Sequence, residues 1–262
     1  MSAQSGLRQA ITGVAGGKIT QTSNHVIPLS YASVTFKNIV IDHMTVYSIS
    51  RSSVNITGCT FSSTPTHQSA FVYSIYGTTI TGSTFTNAGY TAFRGDSCIV
   101  TISNCQIAGR AVVGAGSKCT VSNTKCGTLG QLWTTAKAII SGSTFGQLEC
   151  YNSGTQMVIL SGSNTLTSSI INGGSTNTGA VVYLIAGCTV NLASSNAVKP
   201  IQGFATPGVK VGTFSDTTNY TADTWTTGGT ATVITATGTT IHVSGEGTYI
   251  NKDGTTDLTV VP

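Results

Sequence analysis

Eight carboxylates are all the acid chemistry this chain can offer: Asp42, Asp96, Glu149, Asp216, Asp223, Glu246, Asp253 and Asp257. General acid–base catalysis needs such groups gathered on one exposed surface. Glycoside hydrolysis needs two of them roughly 5 to 9.5 Å apart. Asp42, Asp96 and Glu149 are spaced by 54 and 53 residues, too far apart to read as a pair. Arg94 and Asp96 stand two apart, which on a strand puts both on one face. They are the candidate catalytic residues, with Arg51 or His67 as neighbours, and a salt-bridged turn is the simpler reading of the same pair. Asp42 and His43 are adjacent, so on a strand they diverge. The stretch GAGSK from Gly114 to Lys118 is glycine-rich but lacks the strand-to-helix setting of a phosphate loop, and no nucleophile-elbow phrase is present. No Cys-x-x-Cys or Cys/His cluster has zinc-ligand spacing, so neither metal nor cofactor is expected. Catalysis is not the favoured reading.

The elements that would position these groups are announced by a recurring phrase. It reads ITGCTF at Ile56, ITGSTF at Ile80, ISNCQI at Ile102, VSNTKC at Val121 and ISGSTF at Ile140, with looser copies FKNIVI at Phe36, LSGSNT at Leu160 and IAGCTV at Ile185. Its third position is always Asn or Gly: Asn38, Gly58, Gly82, Asn104, Asn123, Gly142, Gly162 and Gly187. These two residues accept positive φ most readily, so a sharp bend is expected at each. An apolar residue precedes the bend, a small one follows it (Cys59, Ser83, Cys105, Thr124, Ser143, Ser163, Cys188), and a second apolar step comes three residues after it. Intervals of 19 to 25 residues, with no helical pattern inside them, predict a solenoid of strand coils. Each coil has room for three short strands and three turns, and coils about 4.8 Å apart would stack like on like.

The phrase φ-S/T-G/N-x-T-F on this period resembles the coils of the right-handed parallel β-helix, or pectin-lyase-like, superfamily, over roughly residues 30 to 195. The opening SGLRQAITGVAGGKIT, Ser5 to Thr20, is similar to the start of many such proteins, where a short helix caps the first coil. Leu7, Ile11 and Val14 would fall on one helical face, with Gly16-Gly17 as its stop. The resemblance implies an all-β fold: a single-stranded right-handed parallel β-helix with a short N-terminal capping helix and a C-terminal β cap. It implies three regions, residues 1–20 as N-terminal cap and first strand, 21–198 as coils and 199–262 as a C-terminal β-rich cap or oligomerisation region. Among the superfamily's members the chain resembles adhesin- and tailspike-like surface proteins rather than a specific lyase.

Charged residues make up 8% of the chain and mean hydropathy is +0.19, so the polar surface must come from Ser, Thr and Asn. Such neutral, hydroxyl-rich faces suit sugars or further copies of the chain. The net charge of +4 is dispersed, without a basic run interleaved with aromatics, so no nucleic-acid partner is expected. Lys118 and Lys137 recur at one coil position, as a basic spot or as solvated turn lysines. No 18-residue apolar run predicts membrane insertion, and no secretory signal is visible. An odd number of cysteines, seven, excludes complete pairing. Cys59 and Cys105, two coils apart at about 9.6 Å, exceed the disulfide limit of roughly 7 Å, which predicts buried thiols.

Beyond Val198 the phrase stops. Gly229 to Val243 alternates apolar and hydroxyl residues, and SGEGT and NKDGT read as hairpin turns. Tyr220, Trp225 and Tyr249 are candidate ligand-binding residues, as a sugar-stacking platform or as the core of this region. The sequence therefore favours a non-enzymatic structural or adhesive surface or fibre protein, a rigid rod that binds glycans, a cell-surface receptor or copies of itself, trimers included. The expected location is extracellular, on a cell or a virion. A polysaccharide-degrading enzyme of tailspike or lyase type is the alternative. The repeat phrase shows no regular Thr-x-Thr, so a flat hydroxyl array that orders water is not expected.

Overall fold

A computed structural model describes residues 8–12, 17–30, 33–49, 53–62, 70–73, 77–86, 91–96, 99–113, 118–132, 137–146, 148–150, 157–167, 171–177, 181–193, 201–204, 208–234, 236, 238, 240–251 and 258–261. The chain is nearly all β, wound as a parallel solenoid. The first sheet stacks Arg8–Thr12, Ser33–Lys37, Ser53–Thr57, Thr78–Thr81, Ile99–Ser103, Lys118–Ser122, Lys137–Ser141, Met157–Ser161, Val181–Ile185 and Gly208–Phe214, all parallel. Alternation decides which side chains face in. Phe36, Ile56, Ile80, Ile102, Val121, Ile140 and Leu160 form one buried column, and Val34, Val54, Val100, Cys119, Ala138 and Val158 form another. Each coil buries its apolar side only against its neighbours, so stability accumulates coil by coil.

Every expected bend is present. Asn38, Gly58, Gly82, Asn104, Asn123, Gly142, Gly162 and Gly187 all have positive φ, between 47° and 83°. The bend N–H of one coil donates to the carbonyl just before the bend of the next: Gly58 N to Thr81 O at 2.9 Å, Gly82 N to Ser103 O at 3.0 Å, Asn104 N to Ser122 O at 3.1 Å. The corner is thus hydrogen-bonded between coils even though it belongs to neither sheet. At Gly58 the absence of a side chain matters twice, for φ and for space, because a Cβ there would lie 2.5 Å from Asn38 Oδ1.

The second sheet begins after the bend. Its strands include Val40–Ile49, Thr60–Ser62, Thr84–Phe85, Gln106–Val113, Lys125–Leu132, Thr144–Phe145, Ser163–Leu166, Thr189–Leu192 and Thr230–Ile234. Its inward column is aromatic at Phe61, Phe85 and Phe145, and the Phe61 and Phe85 rings stack at 4.7 Å and 7°. The longer strands shift register, between Ile107 and Arg110 for example, and run on into a third row with Ala70–Tyr73, Thr91–Asp96 and Leu148–Cys150. Three strand rows per coil match the sequence expectation.

The small residue after the bend forms a buried polar corner. Ser83 Oγ donates to Thr81 O (2.9 Å) and accepts from Cys59 N (3.1 Å). Thr124 and Ser143 repeat this pattern. At Gly162 the expectation fails: Ser163 is exposed, and Asn164 fills the slot, 1% exposed. The apolar step Leu166 pairs with Phe145 and lies four residues past the bend, so this coil carries one inserted residue. Asn164 compensates by accepting from Ser143 N (3.1 Å) and donating to Ser161 O (2.9 Å).

One other expectation is corrected. Arg8–Thr12, assigned to a capping helix, is a strand paired with Ser33–Lys37, with Ile11 in register with Phe36. The exposed edge of that neighbouring strand offers the segment a full hydrogen-bond ladder, whereas a helix this short is marginal on its own. Parallel stacking also runs past residue 198, through Gly208–Phe214 and Thr230–Ile234. Antiparallel pairing then takes over in Trp225–Thr227, Thr240–Ser244, Glu246–Asn251 and Leu258–Val261.

One inward position breaks the apolar column. Thr78 lies in register with Val100 and is 1% exposed, and its hydroxyl has no hydrogen-bond partner. An unsatisfied buried hydroxyl costs about 1–3 kcal/mol. Thr78→Val is therefore expected to raise the urea midpoint, a gain of about 1 kcal/mol at unchanged slope; a lower midpoint would show that the hydroxyl is satisfied.

Candidate functional site

The outward side of the second sheet is not flat. Thr60, Thr84, Gln106, Lys125, Thr144 and Thr165 follow one another in register. Two residues further along each coil come Thr86, Ala108, Gly127, Gly146 and Thr167, where the chain leaves the second row. Small residues at this step let the backbones of successive coils close up. A Cβ on Gly127 would collide with the Ala108 carbonyl oxygen, and one on Gly146 with that of Gly127. The result is a groove of about 470 Å³, running across the coils between Thr84 and Thr167.

Its polar groups among the described residues are the hydroxyls of Thr84, Thr86, Thr144 and Thr167, the Gln106 amide and the Lys125 ammonium, over the backbone of Phe85, Ile107 and Cys126, whose side chains are buried on the inner face. The Thr86 hydroxyl donates to Phe61 O at 3.2 Å, which leaves its lone pairs to accept from solvent or ligand. Among the described residues no carboxylate lines the groove. These groups offer hydrogen bonds of both senses and one positive charge to a polar ligand.

Asp42, in the sequence one of three acids among the coils, is 6% exposed and engaged. Lys18 Nζ lies 2.8 Å from Oδ2, Thr20 Oγ1 donates to Oδ2 at 3.2 Å, and Ser62 Oγ donates to Oδ1 at 3.0 Å. Register stacks Thr20, Asp42 and Ser62 in successive coils, so this carboxylate ties the first coils together. Arg94 and Asp96 share alternation on Thr91–Asp96, where Asp96 pairs with Tyr73 and Arg94 with Phe71. Their side chains, like Arg51 and His67 entirely, lie outside the described residues.

Tyr220 and Trp225 come together on the outside of the first sheet. There the outward positions change from hydroxyl to apolar: Ile139, Met157, Ile159 and Tyr183 are buried. The segment after Phe214 folds back over them. Phe214 and Trp225 rings meet at 4.7 Å, Tyr183 and Trp225 at 4.8 Å, and Phe214 and Tyr220 at 5.2 Å. Both candidates are half-buried in this second cluster. Tyr249 is elsewhere, in register with Val260 on Glu246–Asn251, its side chain outside the described residues.

The covering segment has its own supports. Asp216 Oδ1 accepts from Thr218 N (2.8 Å) and Asn219 N (3.2 Å), and Oδ2 accepts from Asn219 Nδ2 (2.9 Å); these bonds hold its carboxyl below the ordinary value. The two recurring lysines stack in register and reach across to the segment's backbone. Lys118 donates to Thr218 O (2.7 Å), and Lys137 to Asn219 O (3.0 Å) and Tyr220 O (3.2 Å). They are neither a basic patch nor merely solvated.

Before these coils the same outer surface is hydroxylated: Thr79 and Thr81, Thr101 and Ser103, Thr120 and Ser122 flank each inward Ile or Val in register. These residues form a mixed Thr-x-Thr/Ser strip over three coils, of which only Thr79 and Thr81 make a Thr-x-Thr pair. The cysteines behave as expected where described: Cys59, Cys105, Cys119, Cys126 and Cys188 are buried. No family model, curated protein or solved structure matches this chain.

Two outcomes follow from these contacts. In a Trp133→Phe background, Lys137→Met is expected to red-shift Trp225 emission and increase quenching by acrylamide; unchanged emission would show that the lysine does not hold the segment. Burial pushes the thiols of Cys59 and Cys105 up from 9.0, and that of Cys188 to about 11. Thiols raised in the folded state favour folding fully below their unfolded value and lose that contribution as pH climbs through the folded one. Urea midpoints should hold to pH 9 and fall between pH 9 and 11, a decline that Cys188→Ala reduces.

Proposed function

We propose that this chain is a non-enzymatic structural or adhesive protein, a rigid β-solenoid rod whose groove over Thr84–Thr167 binds a linear glycan. The observation that carries the reading is the lining: among the described residues, four hydroxyls, an amide and an ammonium, with no carboxylate. Hydroxyl and amide groups exchange hydrogen bonds with sugar hydroxyls, and the Lys125 cation favours a chain bearing uronate, sulfate or phosphate groups. The coil spacing of about 4.8 Å is close to the length of one sugar ring, so successive coils can meet successive residues of an extended polysaccharide. The repeat phrase supports placement within the pectin-lyase-like superfamily, among surface and fibre proteins of the adhesin or tailspike type. A cell or virion exterior is where such a rod would meet its glycan.

Binding to a panel of neutral and acidic linear polysaccharides tests this. Lys125→Ala is expected to weaken binding to acidic chains about tenfold, the scale of one charge-assisted contact, and to flatten its salt dependence. Ala108→Trp, at an exposed position in the groove, should abolish binding without unfolding. Absence of binding across the panel would overturn the groove assignment. Release of oligosaccharides by the native chain, lost in Asp96→Ala, would instead establish the degradative alternative.

A further inference from the structure

The groove is lined by backbone as well as by side chains. Gly127 has no side chain, so it lines the groove through its main chain alone. Ile107 pairs with Cys126 and Arg110 with Thr128, which sets Ala108 and Gly109 together against Gly127. Such a bulge disrupts the ladder locally. The Ala108 carbonyl oxygen occupies the space that a Cβ on Gly127 would take, and the Gly127 oxygen does the same at Gly146. Cys126 and Phe145 point inward, so Gly127 and Gly146, one residue on, point outward. Both oxygens therefore lie on the groove side, one in each of two successive coils.

The same two coils supply the opposite edge from side chains. Gln106 and Lys125 stand in register and are exposed, each two residues before Ala108 and Gly127. Two residues of strand span about 6.6 Å and neighbouring coils lie about 4.8 Å apart. The amide, the ammonium and the two carbonyl oxygens thus frame an area that one sugar ring can cover. Its two edges differ in sign. A backbone carbonyl only accepts hydrogen bonds, and an ammonium only donates them. A carboxylate, sulfate or phosphate is matched at Lys125 but would meet the negative ends of two dipoles at the carbonyls. A hydroxyl is matched there, because it donates. Selectivity of this kind comes as much from the mismatched edge as from the matched one.

Building on the glycan reading of this groove, on which the inference rests, we propose that the site reads a sugar ring by its two edges. The anionic group lies toward Lys125 and Gln106, and free hydroxyls lie toward the main-chain oxygens of Ala108 and Gly127. The ligand class is then a linear acidic glycan with unsubstituted hydroxyls opposite its anion. A uronate ring has this layout, its C2 and C3 hydroxyls standing across the ring from the carboxylate on C5. A ring carrying sulfate on both edges does not, and is rejected at the carbonyls. Lys125 sets the preference for charge, and the bulge at Ala108 sets the requirement for hydroxyls.

Calorimetric titration of the full chain with three ligands tests the proposal: a linear oligouronate, its carboxyl-reduced form, and a form lacking the 2- and 3-hydroxyls. The parent is expected to bind. Carboxyl reduction should weaken binding about tenfold, the scale of one charge-assisted contact. Removal of the hydroxyls should weaken it at least about tenfold, because the carbonyls built to receive them are left unpaired. In Lys125→Ala, a change at an exposed side chain, carboxyl reduction should cost nothing further, while loss of the hydroxyls should cost as much as before. Equal binding of the parent and the deoxy form would overturn the edge assignment and leave the glycan reading standing. So would binding of neutral chains only, or a carboxyl effect that persists in Lys125→Ala. Absence of binding by every chain would overturn both.

Discussion

Positive φ at one residue per coil is the constraint on which the rest depends. Where Asn38, Gly58, Gly82 and their successors turn, the inward apolar residue of the first sheet and that of the second come to face the same interior. L-residues with a Cβ pay about 1–2 kcal/mol for this conformation, and only Gly and Asn occupy these corners. The bend also directs its own N–H toward the next coil, so the turn that closes one layer helps to hold the following one. Sheet pairing, the aromatic stack and the polar corner are all consequences of placing that turn at the same point each time.

The polar corner shows how the interior tolerates groups other than hydrocarbon. A hydroxyl behind the bend donates within its own coil and accepts from the coil before it. Both of its capacities are used, so burial costs little. Asn164 performs the same two tasks with an oxygen and a nitrogen, which is why an inserted residue disturbs only that coil. Thr78 lies in the neighbouring column, where no carbonyl is within its reach, and the same chemistry is a liability there.

The coil was legible in the sequence because its corner demands particular residue types. The Asn164 substitution was not, since LSGSNT satisfies the phrase in two registers and only the position of Leu166 against Phe145 separates them. Leu7, Ile11 and Val14 read equally as a helical face and as part of a strand, and the waiting edge of Ser33–Lys37 decides between them. The groove escaped notice because it depends on Ala108, Gly127 and Gly146, which lie beyond the phrase and matter for what they lack. The outer cluster did leave a signal. KAIIS, MVILS and VVYLI run apolar without alternation, the mark of a strand covered on both faces, unlike the TIT and TIS of earlier coils.

The even spacing of the corners has a further consequence for the rod as an object. Asn104, Asn123 and Gly142 are separated by nineteen residues each, and the columns on either side of them continue without a break. A segment cut from one corner to the next could be lost or duplicated while leaving the flanking layers matched. Length in such a molecule is a counted quantity, inherited in whole layers, and it can change in evolution without redesign of the core.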